Sequence, residues 1–131
     1  MNFGFIKLLV IAATMLIGAT TAQADTIAQW TFETNPPLTA GPFAADVGVG
    51  SALGYHASTA AVYSSPAGNG SAKSFSSNNW SVNDYYQFSV STLGMDSISL
   101  SWDQNGSGTG PRDFKLAYST NGSSFTDYLS Y

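Results

Sequence analysis

The stretch Ser97-Ile98-Ser99-Leu100-Ser101-Trp102 decides the fold class. Ile98, Leu100 and Trp102 fall on one side of an extended chain, and Ser97, Ser99 and Ser101 fall on the other. Strict apolar/polar alternation is the signature of a strand with one face buried. The same period recurs on either side. Tyr86, Phe88 and Val90 alternate with Gln87 and Ser89, and Phe114, Leu116 and Tyr118 alternate around an outward Lys115. Asn121-Gly122 lies between that run and Phe125–Leu129, which predicts a hairpin. No window of the chain shows sustained helical spacing.

Further from this centre the signals weaken. Ile27–Phe32 alternates, with Ala28, Trp30 and Phe32 on one face, and predicts a strand that Asn35-Pro36-Pro37 ends. Thr39–Gly54 is rich in Gly, Ala and Pro and predicts a long loop with room for a short edge strand. Ala60–Tyr63 and Ala72–Ser76 are further strand candidates, separated by the turn cluster Ser64–Gly70. Short strands at regular spacing with Gly/Ser turns predict an all-β, antiparallel, jelly-roll-like β-sandwich. Its expected core is Trp30, Phe32, Phe88, Val90, Ile98, Leu100, Trp102, Phe114, Leu116 and Tyr118. The chain stops at Tyr131 within or just after a strand-like run, so the sandwich is expected to be truncated there.

The N-terminal segment predicts export. Lys7 is followed by the uncharged run Leu8–Ala19 and by Ala22-Gln23-Ala24, an Ala-x-Ala pattern. These are the parts of a secretory signal peptide over 1–24, cleaved before Asp25, with the sandwich over 25–131. The apolar run is too short for a spanning helix.

Charge and cysteine content narrow the function classes. Of 131 residues, 9% are charged and 44% hydrophobic, a balance that argues against wholesale disorder and against a coiled coil. The net charge of −4 becomes more negative when Lys7 is removed, leaving Lys73, Arg112 and Lys115 as the mature cations. Three scattered cations cannot track a phosphate backbone, so neither nucleic acid nor an anionic membrane surface is expected as a partner. With no cysteine, disulfide scaffolds and Cys-ligated metal sites are excluded.

The segments Ile27–Glu33, Gly54-Tyr55-His56-Ala57-Ser58, Ser65–Ser71 and Gly108–Leu116 resemble the β-sandwich module of bacterial secreted proteins of the PEP-CTERM sorting type. The resemblance covers nearly all of residues 25–131. It implies a jelly-roll-like sandwich exported from a Gram-negative cell, with a role at the envelope or in an extracellular polysaccharide matrix. The Pro-Glu-Pro motif, apolar helix and basic cluster that close such proteins are absent from this chain. The family has no general activity to transfer.

Motifs for chemistry are sparse. His56 is the only histidine and lies in a Gly/Ala/Ser-rich stretch, where a loop or edge-strand histidine with local hydrogen bonds is expected. No Gly-x-Ser-x-Gly elbow occurs. Glu33 is the only glutamate, and Asp103 and Asp113 bracket a loop in which Arg112-Asp113 is expected to form bracing ion pairs. Asp103, Asn105 and Ser107 place oxygens at alternate positions before Gly108, as the start of a Ca²⁺ loop does, but Phe114 stands where the bidentate acid belongs. The metal expectation is therefore an irregular Ca²⁺ site on those three residues. Trp80 and Tyr85, in a turn-rich context, are the expected exposed platform for a sugar ring. The Asn-x-Ser patterns at Asn69, Asn79, Asn105 and Asn121 follow from composition.

The sequence thus predicts a non-enzymatic structural or interaction module with extracellular polysaccharide or other envelope proteins as partners, no nucleic acid, and no membrane span in the mature chain. The alternatives are a carbohydrate-binding module, stabilised by Ca²⁺, and a fragment of a secreted hydrolase. The last would require two carboxylates, or His56 and a serine, to converge in one cleft.

Overall fold

The strand Gly50–Tyr55 organises the structure, although its sequence, Gly-Ser-Ala-Leu-Gly-Tyr, has no β-branched residue. The computed structural model describes residues 25–131; the predicted signal segment 1–24 lies outside them. Nine strands are present among these residues: β1 Ala28–Gln29, β2 Phe43–Ala44, β3 Val47–Gly48, β4 Gly50–Tyr55, β5 Tyr63–Ser64, β6 Ser76–Ser77, β7 Tyr85–Val90, β8 Lys115–Tyr118 and β9 Thr126–Ser130. All pairings are antiparallel and form four small sheets, β1-β3, β2-β4-β7, β5-β6 and β8-β9. The protein is all-β in this region.

β4 is central because its small residues let aromatic rings lie directly on the sheet. Gly50, Ala52 and Gly54 share one face of the strand. A Cβ on Gly50 would stand 2.7 Å from Cη2 of Trp30, and one on Gly54 would stand 2.7 Å from Cε1 of Tyr63. Neither position needs glycine for its backbone angle; each needs it for the approach of a ring. Phe32, Phe43 and Ala52 are the buried core, with Trp30 and Phe75 packed against them. Phe43 and Phe75 meet edge to face at 5.5 Å, Phe75 stacks on Tyr86 at 4.4 Å, and Trp30 meets Phe88 at 5.1 Å.

A carboxylate places Phe32 in that core. β1 ends at Gln29, and Phe32 takes a φ of 60°, a left-handed conformation uncommon for a bulky residue. Asp46 holds it there. Its Oδ2 accepts hydrogen bonds from the backbone N–H of Thr31 at 2.7 Å and of Phe32 at 3.0 Å, and from the Thr31 hydroxyl at 3.1 Å. Burial alone would raise the Asp46 pKa, but these donors and the Thr34 hydroxyl outweigh it and hold it below 3.8.

Several expectations are corrected. The Thr39–Gly54 region is not a loop: it supplies β2, β3 and most of the central β4. The Ile27–Phe32 strand is shortened to two residues. Ile98–Trp102 forms no strand among the described residues, despite having the clearest alternation. The expected core members Phe88, Val90, Ile98, Leu100, Trp102 and Tyr118 are exposed, Leu100 by 65%. Alternation encodes a face that suits burial, and here no described element covers that face. The predicted hairpin is present as β8-β9, with Gly122 at φ 73° in its connection and a bulge at Leu116/Ala117. Phe114 and Tyr131 exchange backbone hydrogen bonds and extend its ladder.

Candidate functional site

Residues distant in sequence converge at the end of the β4–β7 ladder. Tyr55, the last residue of β4, pairs with Tyr85, the first of β7. The next residues outward are therefore His56 and Asp84. His56 Nδ1 lies 2.7 Å from Asp84 Oδ2. On the other side of the ring, Nε2 lies 2.8 Å from the hydroxyl of Ser77, the last residue of β6. The Ser77 hydroxyl is in turn 2.6 Å from that of Tyr86.

The protonation pattern follows from the partners. Asp84 accepts the backbone N–H of Ala57 and of Ser81 as well as the His56 ring. Burial would raise its pKa, but the two backbone donors and the His56 ring more than offset this, so the carboxyl stays below 3.8 and ionised. A carboxylate only accepts, so Nδ1 carries the proton. In the neutral ring, Nε2 accepts from the Ser77 O–H, and Ser77 accepts from Tyr86. Burial, opposed by the Ser77 hydrogen bond and aided by Tyr63, pushes the Tyr86 phenol up to about 12, so it remains a donor at neutral pH.

Ser77, His56 and Asp84 thus have the order and spacing of a serine-hydrolase triad. Other geometry points to bracing. The side chains of His56 and Asp84 are 3% and 0% exposed. Trp80 and Tyr63 meet the imidazole edge to face at 4.7 and 5.4 Å. The N–H of Asn78, which follows Ser77 and would be a natural oxyanion donor, is used by the Val62 carbonyl at 3.2 Å. Two shallow depressions, of about 320 and 420 Å³, are lined by other residues, the first by Gln104, Ser107, Arg112 and Tyr131 and the second by Val49, Ser89 and Val90. The arrangement ties β4, β6 and β7 together.

The expected site residues are dispersed. Trp80 is half-buried: its Nε1 donates to the Ser77 carbonyl at 3.0 Å, and its ring packs on His56, Tyr86 and Phe114. It is a wall of the His56 cluster and not a free platform. Tyr85 is 44% exposed and stacks on Tyr55. Asp103, Asn105 and Ser107 all lie in an exposed segment. Among the described residues, no three His, Cys, Asp or Glu side chains gather as a metal cluster. Glu33 accepts from the backbone N–H of Ala72 at 2.8 Å and is a loop brace. Among the described residues, neither Arg112 nor Asp113 forms the expected bracing ion pairs; the exposed pair is Lys115–Asp127, at 2.9 Å.

The expectation of local hydrogen bonds for His56 is also corrected. Its partners are 28 and 21 residues away. Ser77, Asp84 and Tyr86 were missed because no short motif links them. Only the register of β4 on β7 brings them together, and the composition of Thr39–Gly54 predicts a loop with at most a short edge strand there.

No family model, curated protein or solved structure matches the chain. Among the described residues, no helix is long and apolar enough to cross a membrane.

Proposed function

We propose that the mature chain is an exported, non-enzymatic structural or interaction module, built as a jelly-roll-like sandwich and working at a bacterial envelope or in its extracellular matrix. The observation that carries this is the apolar surface of residues 91–131. Ile98, Leu100, Tyr128 and Leu129 are 52%, 65%, 73% and 46% exposed. Large apolar side chains left this exposed beside a formed core supply the candidates for a contact face. The saturated His56 cluster supports a bracing role for the one triad-like constellation. The Lys7–Ala24 leader pattern supports export, and the resemblance to PEP-CTERM-associated modules supports the setting.

The test is to express the full chain in a Gram-negative host and analyse the exported product. An N-terminus at Asp25 is expected; retention of the uncleaved chain in the cytoplasm overturns export. A fluorophosphonate probe is expected to leave Ser77 unlabelled. Labelling that disappears in His56→Ala would overturn the non-enzymatic assignment. A photo-crosslinker at Leu100 is expected to give adducts in the envelope fraction, whereas one at Val49, outside residues 91–131, is not. Equal yields at the two positions would remove the contact face.

A further inference from the structure

The face of the β2-β4-β7 sheet away from the core holds a second cluster, separate from the His56 network. Register and alternation place Ser51, Leu53 and Tyr55 of β4 beside Ser89, Gln87 and Tyr85 of β7. Tyr55 and Tyr85 stack at 5.2 Å with an interplanar angle of 16°, yet they are 49% and 44% exposed. Among the described residues, β7 is an edge strand, with β4 on one side and no strand on the other. One face of the Tyr85 ring is covered by Tyr55, so its other face turns toward that open edge. Along the same strand, Gln87 Nε2 donates to the Ser89 hydroxyl at 3.3 Å, which fixes the two polar groups relative to each other.

The geometry points to a binding site for a neutral glycan on this ledge, with a pyranose ring on the open face of Tyr85 and its hydroxyls met by Gln87 and Ser89. The assignment rests on the interaction-module reading and gives that module a ligand class. The axial C–H bonds of a pyranose carry slight positive charge and suit the negative face of an aromatic ring. The hydroxyls at its rim need polar partners, and residues two apart on a strand stand about 6.6 Å apart, near the width of one sugar. The stacked pair holds Tyr85 in place before binding, and a tyrosine has few rotors to immobilise. Apart from the phenols, the six residues that β4 and β7 place on this face carry no ionisable group, and the chain's net charge is −4. An acidic glycan would find no cation here and would be repelled at long range.

The experiment is native affinity electrophoresis of the exported chain through gels containing a neutral β-glucan, a neutral α-glucan, a galactomannan or alginate. Retardation by at least one neutral polymer and none by alginate is expected. Tyr85→Ala and Tyr85→Leu should each weaken the apparent affinity by about tenfold or more, the loss of one stacking contact. Tyr85→Phe and Tyr85→Trp should retain binding, and Gln87→Ala should weaken it by less than Tyr85→Ala. Tyr85→Leu keeps an apolar side chain on the strand, so it tests the ring even if Tyr85→Ala unfolds. Absence of retardation by every neutral polymer, preferential binding of alginate, or parental binding by Tyr85→Leu would each overturn the site. None of these outcomes bears on Ser77 labelling, so the non-enzymatic reading stands or falls separately.

Discussion

Residues 25–90 and 91–131 have similar aromatic wealth, but only the first gathers its rings into a buried core. In the first region, rings lie on a strand of small residues, and Phe32, Phe43 and Ala52 are 9%, 7% and 0% exposed. Side-chain hydrogen bonds span up to 40 residues there, as from the Ser71 hydroxyl to the Thr31 carbonyl. In the second region, β9 is exposed along its whole length, and the better alternating run, Ile98–Trp102, is uncovered. The lesson is that alternation specifies a face fit for burial, while burial itself requires an opposing layer. Trp30, Tyr63 and Phe75 are that layer for β4. The contact between Trp80 and Phe114 at 5.9 Å links the two regions.

The largest expected effect separates the regions directly. Phe43→Ala removes a ring from the core and should cost about 3–5 kcal/mol, whereas Leu100→Ala should change stability by only about 0.5 kcal/mol. Urea denaturation of the exported protein measures both. A cost at Leu100 comparable to that at Phe43 would show a covered second region and erase the contrast.

Glycines give a sharper version of the same comparison. Gly54→Val drives a branched side chain into Tyr63 and Phe75 and should cost about 1–3 kcal/mol as overpacking. Gly108→Ala meets nothing within 4 Å and has no positive φ, so it should be neutral or stabilise by up to about 1 kcal/mol. Thermal melts of the two variants are the check. A harmless Gly54→Val would mean that the rings do not rest on β4.

Ser77→Ala probes the polar counterpart of this packing. It leaves His56 Nε2 and the Tyr86 hydroxyl without their shared partner and should cost about 1–3 kcal/mol. A bracing role predicts that cost with no lost reactivity, so stability and fluorophosphonate labelling should be measured on the same sample.

Acid should act on the first region through Asp46 and Asp84. Both carboxyls have folded pKa values below 3.8, so the stability they supply is present above the unfolded value and is lost as pH falls through the folded ones. Denaturation midpoints should therefore decline below about pH 4. In Asp46→Asn, part of that decline should disappear. An unchanged acid profile in both Asp46→Asn and Asp84→Asn would refute the linkage.

Legibility in the sequence followed the same division. The all-β class, β7 and the β8-β9 hairpin were readable, because half-buried strands and an Asn-Gly connection leave local marks. β4 was not. Its strand character comes from the rings it carries, and small residues are the trace that rings leave on the strand beneath them. The His56 cluster was hidden for the same reason, since its residues meet only once β4 is paired with β7. Tyr85 is legible as an exposed aromatic, but its partner Tyr55 is not, and the turn-like setting of Trp80 conceals a packed ring.

The smallest expected effect lies on β8-β9. Lys115 Nζ meets Asp127 Oδ2 at 2.9 Å, but the two side chains are 59% and 64% exposed. Water and salt screen such a pair, and ordering the long Lys115 side chain offsets much of the attraction. Lys115→Met should therefore change stability by less than about 1 kcal/mol, and the difference should shrink further in 0.5 M salt. The contrast with Asp84 is instructive: similar distances join both carboxylates to their partners, but only the Asp84 side chain is fully covered and fixed by two backbone N–H groups. A double-mutant cycle of Lys115→Met with Asp127→Asn measures the surface coupling alone. A coupling well above 1 kcal/mol that persists in salt would show that the hairpin is shielded by a partner layer, and the two regions would then differ less than their exposure indicates.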